Sequence, residues 1–187
     1  MKRKALVVGS VLVSTVLAGC GGGSGEQTPP AGQTPPATTQ ASARTGPAKA
    51  VEIADKCSIV TESQWKAIGA DQQPAEETSN GKAGCTYQMG QAGTKGWGAF
   101  VAVTGEHPYA EEIGQKSQEP VKTGDLAGYP MSAFKNSDDG CIVYADVADN
   151  GYLTANITKL SPEDPGVDLC QVAEQLTEAA VQNLPNA

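Results

Sequence analysis

Cysteine and histidine have the most reactive side chains in this chain, which contains five cysteines and one histidine in 187 residues. Four of the cysteines, Cys57, Cys85, Cys141 and Cys170, are widely separated. No two of them have the spacing of roughly two to four residues that zinc ribbons use, so a four-cysteine zinc site is disfavoured. An even number of such cysteines favours two disulfides, and the spacing alone leaves three pairings open.

The fifth cysteine, Cys20, ends a different pattern. Three basic residues at positions 2–4 precede a mostly apolar run over residues 5–17, which leads into Leu17-Ala18-Gly19-Cys20. A basic head followed by an apolar run of roughly 7 to 15 residues is typical of a secretory signal peptide. The last four residues resemble a bacterial lipobox, which implies that the Cys20 thiol is alkylated by a diacylglyceryl group. We predict a signal peptide over residues 1–19 and lipidation at Cys20; the alternative is a secreted protein with a coincidental cysteine.

The composition changes after the lipobox. Residues 21–50 are mainly Gly, Ser, Pro, Thr, Ala and Gln, and they include no Leu, Ile, Val or aromatic residue. Such a stretch buries too little apolar surface to offset the entropy lost on ordering. We therefore predict that residues 20–50 comprise the lipidated cysteine and a disordered tether, and that residues 51–187 form a single domain of ordinary size.

Acidic residues outnumber basic residues, 21 against 13, which gives a net charge of −8. Because no basic cluster occurs beyond positions 2–4, little can neutralise a phosphate backbone, and nucleic acid is not expected as a partner. The sequence has no nucleophile-elbow, phosphate-loop, dinucleotide or zinc-protease motif. We expect no catalytic residues, no cofactor and no metal.

Two positions near one predicted helix could still carry acid–base chemistry. His107, the only histidine, directly precedes Pro108 at the expected helix start, where a capping or surface role is expected. Glu111 and Glu112 are adjacent on that helix, so their side chains diverge by about 100°. That divergence is unsuitable for paired carboxylates and indicates a solvated face.

Two acidic segments could bind a cation. Residues 146–151 resemble the start of a calcium loop, but the third position is Ala148 and the twelfth is Ile157, where a bidentate Glu is required. The segment is therefore expected to be the tip of a hairpin. Residues 138–140, Asp-Asp-Gly, are expected to form a turn.

The hydrophobic pattern predicts an α+β fold, an antiparallel sheet with helices packed on it. Thr61 and Gln64 match a capping box, so a short helix should begin at Glu62. Asn150-Gly151 is typical of a type I′ turn and predicts a β-hairpin. The predicted elements are a helix over 62–68, strands over 84–89 and 97–104, a helix over 108–116, strands over 131–134, 141–148 and 152–159, and a last helix that starts near Ser161 or Asp164 and ends before Pro185.

Three segments resemble a known family: Cys57-Ser58-Ile59-Val60-Thr61 before a short helix, Gly84-Cys85-Thr86-Tyr87, and Cys170-Gln171-Val172-Ala173-Glu174 before the terminal Asn183-Leu184-Pro185. With the lipobox and the tether, they make nearly the whole chain similar to the actinobacterial lipoproteins catalogued as domain of unknown function 3558. The resemblance implies sequential disulfides, Cys57 with Cys85 and Cys141 with Cys170, and a fold similar to PsbP-like domains. The family has no established activity, so the resemblance implies none for this chain.

These observations predict a lipoprotein held on the extracytoplasmic side of the cell membrane through Cys20. Its domain is expected to be a non-catalytic module that binds an envelope protein, polymer or lipid. One alternative is an envelope hydrolase that uses two carboxylates roughly 5 to 9.5 Å apart in a deep cleft. The other is a lipid carrier, which requires an apolar cavity of several hundred cubic ångströms.

Overall fold

The computed structural model describes residues 43–161 and 166–187. The predicted signal peptide, Cys20 and most of the predicted tether therefore lie outside the described residues. Within them, no helix is long and apolar enough to cross a membrane. The strands are β1 (Ala75–Ser79), β2 (Lys82–Met89), β3 (Trp97–Thr104), β4 (Lys122–Leu126), β5 (Tyr129–Ser137), β6 (Gly140–Ala148) and β7 (Gly151–Lys159); the helices are α1 (Glu62–Ile68), α2 (Tyr109–Gly114) and α3 (Leu169–Asn183).

The seven strands form one antiparallel sheet in the order β1-β2-β3-β7-β6-β5-β4. Helix α3 packs across β6 and β7 at the centre of the sheet, and α1 packs against α3. The predicted α+β class is confirmed. The main core lies between the sheet and α3, where alternate residues of the central strands, such as Val101, Val143 and Leu153, meet Leu176.

Both disulfides lie on the α3 side of the sheet. Cys57 joins Cys85 and ties the segment before α1 to β2, while Cys141 joins Cys170 and ties β6 to α3. The sequential pairing is therefore confirmed. The two bonds close loops of 28 and 29 residues, and a loop of that size contributes about 3.6 kcal/mol in the chain-entropy account.

The capping box at α1 forms as predicted. The backbone N–H of Thr61 donates to Gln64 Oε1 over 2.9 Å, and Trp65 is buried in the core. The last helix differs from the prediction: it begins at Leu169 and not near residue 161 or 164. Asp168 caps it, accepting a hydrogen bond from the backbone N–H of Gln171 over 3.1 Å.

The β6–β7 hairpin is present, but the predicted turn is wrong. Ala148 pairs with Gly151, so the two turn residues are Asp149 and Asn150, and neither Asn150 nor Gly151 has a positive φ. A register shift between Asp146 and Ala148 re-aims the end of β6, which lets the chain turn without the left-handed backbone of a type I′ turn.

The folded part begins earlier than residue 51. Arg44 pairs with Asp146 over 2.7 Å and also with Asp149. The Tyr129 hydroxyl donates to the Pro47 carbonyl over 2.8 Å, and further backbone hydrogen bonds link residues 45–50 to the domain. Composition did not indicate this docking because hydrogen bonds and ion pairs hold the segment, and not large apolar side chains.

Candidate functional site

The sheet has a second face, opposite α3, which the described residues cover only in part. Side chains alternate along a strand, so in β6 Cys141 and Val143 point toward α3 while Ile142 and Tyr144 point away from it. The short helix α2 packs on this second side against β6. We call the surface that carries Ile142, Tyr144 and Tyr152 the α2 face.

Aromatic side chains dominate the α2 face. Tyr109 of α2, Phe134, Tyr144 and Tyr152 form a second buried cluster. The rings of Phe134 and Tyr144 meet edge to face with their centroids 6.0 Å apart, and those of Tyr144 and Tyr152 do so at 5.8 Å. The Tyr109 hydroxyl donates to Ser132 Oγ over 2.8 Å, so this buried phenol is satisfied.

Glu112 lies at the centre of a polar network beside these rings. One of its oxygens, Oε2, is 2.7 Å from His107 Nε2 and accepts the Tyr152 hydroxyl over 2.9 Å, while Lys116 Nζ donates to Oε1. Lys116 also lies over the ring of Tyr144, 4.5 Å from its centroid. Three donors from two parts of the chain thus converge on one carboxylate that is only 13% exposed.

The network fixes the charge of Glu112. Burial alone would raise its pKa, but the hydrogen bonds from Lys116, His107 and Tyr152 hold the pKa at about 2. Burial and the adjacent carboxylate raise the pKa of Tyr152 above the usual range for tyrosine. At neutral pH the site therefore combines an ionised carboxylate with a protonated phenol.

The solvated face predicted for Glu111 and Glu112 is wrong for one of the two. Glu111 is exposed, whereas Glu112 turns toward the sheet. His107 likewise contacts Glu112 instead of capping α2, whose N-cap is Pro108. The i,i+4 spacing of Glu112 and Lys116 signals an ion pair, but nothing in the sequence places Tyr152 beside it.

A small cavity of about 110 Å³ opens next to this network. Its walls include Phe100 of β3 and the rings of Tyr144 and Tyr152. The Phe100 ring lies over Gly84 of β2, where an added Cβ would come within 2.6 Å of it. Thr154 also lines the cavity, and its Oγ1 is buried with no hydrogen-bond partner among the described residues.

Two larger cavities lie at the ends of strands. One, of about 440 Å³, is lined by Arg44 with Asp146 and Asp149, its two ion-pair partners. Burial raises the pKa of Asp146, and Arg44 opposes that rise. The other, of about 320 Å³, is lined by Lys82 and Glu106, which pair over 3.1 Å.

Three of the remaining acidic candidates have structural partners. Asp146, near the end of β6, and Asp149, in the β6–β7 turn, bind Arg44. Asp139, in the turn between β5 and β6, pairs with Lys159 over 3.3 Å. Across residues 43–161 and 166–187, no three or more His, Cys, Asp or Glu side chains are placed to hold a metal ion. The predicted lipidation site, Cys20, lies outside the described residues.

Comparison with known proteins gives one family. The family described as protein of unknown function, DUF3558, matches residues 15–183, which is nearly the whole chain. No curated protein and no solved structure matches, so the similarity to PsbP-like domains stays a prediction. A match of this extent assigns the chain, and we conclude that it belongs to the DUF3558 family.

Proposed function

We propose that the protein is a lipoprotein, anchored through Cys20 on the extracytoplasmic side of the cell membrane, whose domain is a non-catalytic binding module. The surface that engages its partner is the α2 face. The partner is a component of the cell envelope: a protein, a polymer or a lipid.

The amino-terminal sequence and the two disulfides support the proposed extracytoplasmic location. The basic head, the apolar run and the lipobox agree in position and order. The domain also carries two disulfides, which persist in oxidising compartments and are rare in reducing ones. Both features favour an exported protein.

The observation that favours binding over catalysis is the low pKa of Glu112 together with its hydrogen bonds. A general acid or base works best when its pKa lies near the operating pH. Glu112 has a pKa of about 2, and three donors occupy its two oxygens. Its network suits a role in holding the aromatic wall of the neighbouring cavity in one geometry.

The anchor is tested by Cys20→Ala. We expect the variant to leave the membrane fraction, because the thiol that accepts the lipid is gone. Ser24→Ala, four residues further along, is the matched control and should stay with the membrane. A Cys20→Ala protein that is processed and still sediments with membranes would contradict the anchor.

The binding role is tested by capture from native envelope with tagged protein. Phe100→Ala alters the cavity wall on the α2 face, and Glu178→Ala alters an exposed position of α3. We expect a captured component to be lost with Phe100→Ala and retained with Glu178→Ala. Equal capture by both variants, or none by the wild type, would count against the α2 face.

A hydrolase with two carboxylates is the second candidate, because one observation favours it. Asp146 and Asp149 bind the same guanidinium beside a cavity of about 440 Å³, and burial raises the pKa of Asp146 as a general acid requires. Asp146→Asn should then abolish hydrolysis of envelope polymers by the purified protein. Charged side chains line both larger cavities, which favours a polar occupant over the acyl chain of a carrier.

A further inference from the structure

The cavity on the α2 face combines apolar walls with hydrogen-bonding groups. Phe100 is partly exposed and supplies aromatic surface, whereas Tyr144 and Tyr152 also line the cavity but are 6% and 0% exposed. Ile142 adds aliphatic surface. Ligand sites of this kind hold a molecule by its apolar side and orient it by a few polar groups. A ligand with one apolar side and several hydroxyls matches that combination.

Two polar side chains at the cavity, Thr154 and Asn156, have hydrogen-bonding groups that no described residue uses. Thr154 is 5% exposed, and its hydroxyl has no partner in the described part of the chain. Asn156 uses its Oδ1 to accept from Asn136 over 2.9 Å, which leaves its amide N–H groups to donate elsewhere. A buried hydroxyl without a partner costs stability, so Thr154 is explained if a small shift of the cavity wall admits a ligand group that completes its hydrogen bonding.

The charged groups at the cavity are already compensated. Lys82 pairs with Glu106, and Glu112 is held by Lys116 and His107. A charged ligand would have to compete with these ion pairs and would lose its own hydration, which costs free energy. The cavity therefore favours a neutral ligand.

The size of the cavity limits how much of the ligand enters. About 110 Å³ is well below the roughly 300 to 1,000 Å³ of pockets that enclose a whole small molecule. The cavity accordingly accepts one end of a longer molecule while the rest stays in solvent.

From these four properties we propose that the cavity binds a neutral sugar unit, the end of an envelope glycan, with a ring face against Phe100 and a hydroxyl on Thr154. This inference rests on the proposed binding function and selects the polymer among its possible partners. With so few buried atoms, the dissociation constant for a single sugar is on the order of 1 mM.

The test is saturation-transfer NMR on the purified protein, kept in a detergent that has no sugar headgroup. The probes are the methyl glycosides of a pentose, a hexose and an N-acetylhexosamine, with hexanoate as an anionic, lipid-like competitor. We expect at least one glycoside to receive saturation and hexanoate to leave that signal unchanged. No transfer to any glycoside at roughly 10 mM, or displacement by hexanoate, would overturn the proposal.

Two substitutions tie binding to the cavity. Thr154→Val keeps the shape and removes the hydroxyl, so we expect affinity to fall by roughly 3- to 10-fold while the melting temperature does not fall. Asn156→Ala should weaken binding similarly. Thr177→Val, at a buried threonine of α3 whose hydroxyl donates to the Ala173 carbonyl over 2.7 Å, should bind as the wild type does. Unchanged affinity in both cavity variants would overturn the proposal.

Experiment can distinguish failure of the sugar ligand from failure of the binding function. If no glycoside binds but Phe100→Ala still abolishes capture from native envelope, the sugar inference is wrong and the binding module stands. If no glycoside binds and capture does not depend on Phe100, the inference and the proposed use of the α2 face are both wrong.

Discussion

The two faces of the sheet are built from the same strands but bury different chemistry. Toward α3 the strands present mainly aliphatic side chains together with Tyr87, Trp97 and Tyr129, and two disulfides close that layer. Toward α2 they present Phe134, Tyr144, Tyr152 and the Thr154 hydroxyl, which has no partner among the described residues. Glu112 of α2 adds a carboxylate with three donors. The unpaired hydroxyl makes the α2 face the better candidate for a functional surface.

The largest expected contrast between the faces is in packing. Leu176 of α3 is fully buried against the sheet, whereas Ile142 on the α2 face is only partly buried. We expect Leu176→Ala to lower the free energy of unfolding by about 4 kcal/mol and Ile142→Ala by about 1.5 kcal/mol. Urea denaturation of both variants measures the difference. Equal losses would show that the two faces contribute alike to stability.

The next largest expected effect is the loss of stability when the disulfide between β6 and α3 is removed. Replacing both Cys141 and Cys170 by Ala opens a 29-residue loop and should cost about 3 kcal/mol. The α2 face should keep its geometry, because neither cysteine contacts it. Denaturation measures the cost, and glycoside binding at low temperature reports on the cavity. Loss of binding in a variant that is still folded would contradict the independence of the two faces.

Acid should weaken the α2 face through Glu112. Its pKa falls from 4.5 in the unfolded chain to about 2 in the fold, so the ionised carboxylate stabilises the fold at pH values above about 5 and that contribution is lost as pH falls toward 2. We expect a loss of up to about 2 to 3 kcal/mol between those pH values. Denaturation of wild type and Glu112→Gln at pH 6 and pH 3 isolates the effect, because the variant should show less acid dependence. Parallel pH profiles would contradict it.

The smallest effect compares two buried threonines. Among residues 43–161 and 166–187 the Thr154 hydroxyl has no hydrogen-bond partner, whereas the Thr177 hydroxyl is hydrogen-bonded. We expect Thr154→Val to be neutral or to stabilise the protein by up to about 1 kcal/mol, and Thr177→Val to destabilise it by about 1 kcal/mol. Thermal unfolding measures both. Destabilisation by Thr154→Val would mean that its hydroxyl has a structural partner.

The turns of two β-hairpins show how far the sequence predicts this fold. The hairpin between β6 and β7 is predicted through Asn150-Gly151, yet the Asn-Gly pair with positive φ angles at both residues is Asn80-Gly81, between β1 and β2. The β1 strand is mostly exposed and polar, so it lacks the alternation that identifies a half-buried strand. The edge strand β4 is not predicted either, because it too is mostly exposed and lacks that alternation.

The candidate site was harder to predict than the fold. His107, Glu112 and Lys116 are close in sequence, and their spacing alone favours local contacts. Tyr152 and Thr154 come from β7, about forty residues away, and only the pairing of the strands brings them to the same surface. A one-residue change of register would place Thr154 on the α3 side, so no local pattern could have identified its hydroxyl.

Amide hydrogen exchange of the purified protein, with and without soluble envelope glycan, tests most directly whether the α2 face is the functional one. We predict slower exchange with glycan around Glu112 of α2 and in residues 79–82, where Glu112, Ser79, Asn80 and Lys82 line the cavity, and no change in α3. Protection confined to α3, or no change in any segment, would contradict it.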